Sequence, residues 1–270
     1  MFGKLLKNDL KAQWNFVSAI YLCAIIVTAV AEGFAMFSDK STVKVLAGFL
    51  VIVVLAITSL ITLIAVAMMF SNTVFGRAGY LTLTLPVKTG SLVASKTVSG
   101  LCWIFVSFGL FIGSIVLCFY QVKDEFSEFE DSAESLLALL GIPSFFTIFM
   151  AIILTCITFA AAILLLVQCL YLAISLSHIS FIGKFGNFGT IVLFFIVFGV
   201  IYSVTSKLSG MSDMGIVITD TAIKFTSDIT KYGSSDLLCI NLLGTLLRLA
   251  FGIALHFPIT YIVKNKVNIK

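Results

Sequence analysis

Only two charged side chains fall inside the long apolar stretches of this 270-residue sequence, Glu32 and Arg248. A charge held at hydrocarbon depth is costly enough that it marks a functional candidate by default. Glu32 stands 16 residues into a stretch that starts at Phe16, about 24 Å along a helix, and Arg248 stands 15 residues before Val263, about 22 Å. Set at similar height, the two predict an ion pair bridging the first and last stretches or two subunits. Two other readings stay open: Glu32 is five residues from Phe37 and can reach water alone, and Arg248 can line a hydrated cavity.

The remaining reactive side chains form no catalytic constellation. His178 and His256 lie far apart, with no Glu-x-x-His or related ligand spacing, so no metal site is expected and interfacial packing is the preferred reading. The six cysteines, Cys23, Cys102, Cys118, Cys156, Cys169 and Cys239, include no Cys-x-x-Cys and read as small apolar residues. Gly183-Lys184-Phe185 lacks the Ser or Thr and the upstream glycine of a phosphate-binding loop. The chain is therefore expected not to be an enzyme and to bind no cofactor. If transport is energised by ATP, the hydrolysing subunit arrives in trans.

What positions these residues follows from composition. Hydrophobic residues make up 60% of the chain and charged ones 11%, against roughly 45–50% and about 25% in soluble domains. No 29.3 kDa globule can bury that much apolar surface. A net charge of +4, scattered, does not make a nucleic-acid groove. Six stretches meet the length needed to span a bilayer core about 30 Å thick: residues 16–37, 45–70, 98–120, 142–176, 188–206 and 237–263. The fourth holds no polar turn and reads as one long helix leaving the membrane on one side. The fold class expected is an all-α membrane protein forming a single transmembrane domain.

Charge sets the orientation. The N-terminus (Lys4, Lys7, Lys11), the 71–97 loop (Arg77, Lys88, Lys96), the 177–187 loop (Lys184) and the C-terminus (Lys264, Lys266, Lys270) hold ten of the 17 basic residues and one acid, Asp9. The opposite segments, 121–141 and 207–236 among them, hold 11 of the 13 acids, six of them between Asp124 and Glu134. Both termini are expected on the cytoplasmic side, with 121–141 and 207–236 extracellular. Ala29-Val30-Ala31 fits a small-x-small cleavage pattern, yet removing that stretch would leave five spans and break the asymmetry, so it reads as a span. Residues 1–15 place Phe2, Leu5, Leu6, Leu10 and Trp14 at helical spacing among lysines. They predict an interfacial helix anchored by Trp14, with a frayed cationic tail as the alternative.

Within the spans, Ser107, Gly109, Gly113 and Ser114 form a small-residue face suited either to packing within the chain or to a dimer seam. Pro258 is expected to kink the sixth span, as a hinge or a simple bend. The loop between spans two and three is the most informative segment. Gly76 and Gly79 permit sharp turns, Tyr80, Leu81, Leu83 and Leu85 offer apolar knobs, and Pro86 stops any helix before a second amphipathic run from Ser91 to Lys96. Such an element suits docking into a groove of a soluble partner. The alternative is a plain amphipathic connector on the bilayer.

Gly79-Tyr80-Leu81 and Thr84-Leu85-Pro86 in the first inner loop, the downstream Ser95-Lys96, and six spans after an interfacial helix resemble the membrane subunit of a type-2 ABC exporter. The closest likeness is to small bacterial permeases encoded apart from their ATPases. The resemblance implies an N-terminal elbow helix and a cytoplasmic coupling helix between helices 2 and 3, seated in a cleft of the ATPase through Gly79, Tyr80, Leu81, Thr84, Leu85 and Pro86. Ala78 stands where relatives usually carry an acid. It further implies two permease chains, identical or related, with two ATPase subunits that bind ATP and Mg, in a bacterial cytoplasmic membrane. ATPase closure would drive alternating access, with segment 207–236 capping the path or forming short helices.

Twenty-six phenylalanines, with hydroxyls such as Thr28, Thr58, Thr62, Thr155 and Thr158, suit amphipathic cargo. An amphipathic peptide of toxin or antimicrobial type is the expected substrate, with a lipid or hydrophobic drug next. Rival readings are an ion-coupled secondary transporter, which would need more intramembrane acids than Glu32, and a non-transporting scaffold. The surface lysine Lys96 is expected to matter much less than Tyr80 and Leu85.

Overall fold

A helix in hydrocarbon must satisfy its own backbone, and residues Phe2–Met36 do so as one unbroken helix of 35 residues, α1. In the computed structural model the described residues are 2–37, 41–76, 79, 88–122, 145–179, 186–212, 214–218, 223–228 and 238–265. They fall into two units, Met1–Ser132 and Ala133–Lys270.

In the first unit α1 is joined by α2 (Ser41–Val74) and α3 (Thr89–Val122), each of 34 residues. Each of the three is about 50 Å long, well beyond one hydrocarbon thickness of about 30 Å. The N-terminal residues do not form a separate interfacial element meeting the first span at an elbow. No glycine or proline interrupts Lys4 to Glu32, so nothing ends the helix there. All three helices pack pairwise, around Val17, Val51, Phe70, Val74 and Val93, which are fully buried. Outward, α1 presents Leu22, Ile25, Ile26, Val30 and Phe34, the apolar exterior that lipid requires.

In the second unit α4 (Phe145–Ser177) packs against α5 (Gly186–Ser209), α6 (Leu242–Ala254) and α7 (His256–Asn265). Gly252 makes the α4–α6 approach possible: a Cβ there would stand 3.0 Å from the Leu164 side chain. The sixth span is two helices broken at Leu255. Pro258 has no N–H to offer the carbonyl of Ala254, four residues back, and α6 ends at that residue. Among the described residues, six segments are long and apolar enough to cross a membrane: Phe2–Ala35, Leu46–Val74, Thr89–Gly113, Ile153–Ser177, Phe188–Ser209 and Leu242–Asn265.

The protein is mostly helical, but it is not all-α. Between α5 and α6 lie β1 (Gly215–Ile218), β2 (Ile223–Thr226) and β3 (Leu238–Asn241), an antiparallel sheet in the order β2-β1-β3. Gly215 faces Thr226 on one side and Asn241 on the other. Residues 215–218 and 223–226 are thus strands where short helices were one expectation for 207–236, and the sixth span is shortened, since its supposed first residues are β3. Isoleucine- and valine-rich runs of four residues favour the pleated surface, and hydropathy alone does not separate such a strand from a helix start.

Asn241 ties this region together. Its Oδ1 accepts from Gly244 N at 2.8 Å and caps α6, while its Nδ2 donates to Ser209 O at 3.2 Å and Ser212 O at 3.3 Å, beyond the end of α5. Asn241→Ala removes the cap and both bonds, and is expected to destabilise the protein by about 1–2 kcal/mol, read as a lower melting temperature in detergent. An unchanged melting temperature would show that the cap holds nothing.

Candidate functional site: a polar seam beneath the α2–α3 loop

Along α1 the buried positions run 13, 17, 21, 24 and 28, with half-buried Asp9 one turn before Gln13, so one stripe of the helix faces its neighbours. That stripe is polar at the end nearest the α2–α3 loop. Asp9 Oδ2 accepts from Ser95 Oγ at 2.7 Å, and Asp9 Oδ1 forms an ion pair with Lys96 Nζ. One turn on, Gln13 Nε2 donates to Ser99 Oγ at 3.1 Å, and Ser99 in turn donates to Lys96 O at 3.0 Å. Tyr21 follows, its hydroxyl donating to Trp103 O at 2.8 Å. Trp103 lies between Trp14 and Tyr21, with ring centroids 5.8 and 6.1 Å apart.

Lys96 is therefore buried and paired, not the lightly used surface lysine that its sequence position suggests. Its side chain keeps 9% of its accessible surface and that of Asp9 12%, so water screens the pair poorly. Two buried atoms of the seam, Gln13 Oε1 and Trp103 Nε1, have no hydrogen-bond partner among the described residues. Trp14 is exposed at the rim, in contact with Trp103.

The loop leaves α2 through a tight turn. The N–H groups of Phe75 and Gly76 both reach Ser71 O, at 2.8 and 3.1 Å, and Gly79 N reaches Gly76 O at 2.7 Å. A Cβ on Gly76 would stand 2.5 Å from Asn72 O, and one on Gly79 2.3 Å from Val74 O, so the close approach of backbone demands glycine at both. Phe75 turns inward, edge-on to Phe70 at 6.0 Å. Of the expected docking residues, Gly79 is buried here, while Tyr80, Leu81, Thr84, Leu85 and Pro86 lie outside the described residues.

The other expected sites stand apart from the seam. Glu32 is half-buried in the last turns of α1, and Arg248 is half-buried on the second turn of α6. They belong to different units, each described by itself, and neither has an ion pair among the described residues. A Cβ on Gly109 or Gly113 would meet nothing within 4 Å among the described residues, so the packing of the first unit does not depend on these glycines. His178 Nδ1 lies 2.9 Å from Ile174 O, closing the end of α4. Among the cysteines whose exposure is described, Cys169 is buried, and Cys23, Cys102, Cys156 and Cys239 are exposed rather than core residues. Thr28, Thr58 and Thr62 are buried and donate to Ile25 O, Val54 O and Thr58 O of their own helix, so they serve the helix backbone rather than the wall of an open path.

Asp9, Gln13 and Ser99 were missed by sequence reasoning. The available signal was a lone acid in a basic N-terminus, followed four residues later by an amide on the same helical face.

The six membrane-length segments among the described residues define a multi-pass helical membrane protein. The particular family follows from comparison: the chain belongs to the ABC-2 family transporter proteins, whose family model matches residues 4–159, more than half its length. No curated protein and no solved structure matches it. It is thus a permease subunit of type-2 ABC class, the membrane partner of an ATPase and not the ATPase itself. The match covers α1, α2, the loop and α3, and with them the whole seam.

Replacing one partner of a poorly hydrated pair strands the other charge, at a cost of about 3–5 kcal/mol when fully buried. Lys96→Met is therefore expected to lower the melting temperature markedly, and Asp9→Asn combined with Lys96→Met to recover part of the loss. A strictly additive double mutant would refute the pairing.

Proposed function

We propose that this chain is the permease of an ATP-driven exporter in a bacterial cytoplasmic membrane, moving an amphipathic peptide outward by alternating access. Both termini and the α2–α3 loop lie on the cytoplasmic side in this reading, as the distribution of lysines favours. Two such permeases, identical or related, work with two ATPase subunits that bind ATP and Mg. Residues 79–86 form the element that seats on the ATPase.

The observation that carries the reading is the seam. The first turns of α3, directly after the loop, are pinned to α1 by Asp9, Ser95 and Lys96 and by Gln13 and Ser99. A lateral push on the loop is thereby handed to two spans together, because an ion pair and an amide bond both resist sliding of α3 along α1. α2 moves with them, since it packs on both helices. Pro258, where the sixth span is broken, is a hinge in this scheme. A path walled by phenylalanines favours an amphipathic peptide over ions or sugars, with a lipid or hydrophobic drug as the second choice.

Tyr80→Asp together with Leu85→Asp puts unpaired charge into an apolar groove. The double variant is expected to keep its melting temperature, to lose co-purification of the ATPase subunit from native membranes, and to lose at least about tenfold in ATP-dependent peptide uptake by inside-out vesicles, corresponding to about 1.4 kcal/mol of lost docking. Undiminished co-purification and uptake would remove the docking role. ATP-dependent movement of a fluorescent phospholipid with none of an amphipathic helical peptide would replace the peptide by the lipid reading.

A further inference from the structure

Arg248 is one of two arginines in the chain. It lies six residues into α6, about 9 Å from the start of that helix. Helical side chains lean toward the N-terminus of their helix, so the guanidinium is carried back toward the sheet end of the span, the depth at which one leaflet holds its headgroups. Facing it on α5 are Tyr202, Thr205, Ser206 and Ser209, spaced i, i+3, i+4 and i+7, a stripe of hydroxyls on one helical face. Gly244 lets the two helices approach, since a Cβ there would stand 3.2 Å from Ser209 Cβ. Together these six residues line a polar cavity of about 30 Å³.

The donors left in the cavity define its ligand. Thr205 donates to Tyr202 O and Ser209 to Ser206 O, both at 2.9 Å, so their protons are committed. The guanidinium and the hydroxyls of Ser206 and Tyr202 remain, and Arg248 makes no hydrogen bond or ion pair among the described residues. A planar fork flanked by two hydroxyl donors matches a tetrahedral oxyanion. The cavity admits the oxygens of such a group but no bulkier part of a ligand. On the same face of α5, toward the middle of the span, Phe198 stacks on Tyr202 at 5.8 Å and Phe195, one heptad before Tyr202, is exposed, a surface for acyl chains and not for a free ion. We propose that this cleft between α5 and α6 binds the phosphate of a phospholipid from the leaflet at the sheet end of the span. The site does not depend on the exporter reading, because it requires only that α5 and α6 cross a bilayer.

Native mass spectrometry of the full chain in mild detergent tests it, by titration with phosphatidylglycerol, with diacylglycerol of the same acyl chains, and with sodium phosphate. Phosphatidylglycerol is expected to bind well ahead of both other probes. Arg248→Gln should weaken it about tenfold, the scale of a charged hydrogen-bonded contact. Ser206→Ala with Tyr202→Phe, which keeps the charge and perturbs packing less, should weaken it about threefold through loss of two neutral hydrogen bonds. Lys207→Gln, a neighbouring cation off the stripe, should change nothing. The proposal fails if Arg248→Gln binds as the parent does, if Lys207→Gln loses as much, or if diacylglycerol or sodium phosphate binds equally well.

Discussion

Hydrocarbon offers no hydrogen bonds, and every polar group carried into it must find its partner within the protein. Most hydroxyls here solve the problem locally. Thr58, Thr62, Thr97, Ser175 and Thr245 each donate to the carbonyl four residues back, and Ser99 and Thr205 to the one three back. A hydroxyl satisfied in this way behaves almost as an apolar side chain and leaves the helix surface free to pack. The groups too long or too charged for that solution must reach across to another helix. Asp9, Gln13, Tyr21 and Lys96 do so, and they mark where α1 and α3 are bound to each other and not merely packed.

That distinction bears on mechanism. Apolar helix contacts in lipid are weakly directional, because lipid tails compete for the same surface. An ion pair with an adjacent amide bond fixes both the depth and the rotation of one helix against the next. The first unit places such a lock at the first turns of α3, directly after the segment that joins it to α2. Gly76 and Gly79 are closed onto the end of α2 by backbone contacts that leave no room for a side chain at either position.

The second unit is built on interruption. Its last span is broken where Pro258 withholds a hydrogen bond, and Asn241 serves as the final residue of a strand, as the cap of α6, and as the link to the turn after α5. Three short strands stand between α5 and α6, two of them within the segment for which short helices were one expectation. An arginine on α6 then faces the hydroxyl stripe of α5 beside that junction.

The number of membrane-length segments, their approximate places and the character of the family were legible in the sequence. Apolar length and the Gly-Tyr-Leu and Thr-Leu-Pro signatures are properties of contiguous residues. The continuity of α1 was also within reach, since no breaker separates Lys4 from Glu32, but cationic amphipathicity pointed instead to an interfacial helix. The strands were hidden because a short apolar run such as Gly215–Ile218 or residues 238–240 reads the same before a helix as within a sheet, and Ile223–Thr226 is half polar. Lys96 was misread for a deeper reason. Its partner is 87 residues away, and whether two such residues meet depends on the angular phase of two helices about each other, which no local pattern encodes. Sequence alone thus determined that this chain must live in a bilayer and which segments are long and apolar enough to cross it. Tertiary structure decided which polar groups meet there, because that depends on the rotation and depth at which each helix comes to rest against its neighbours.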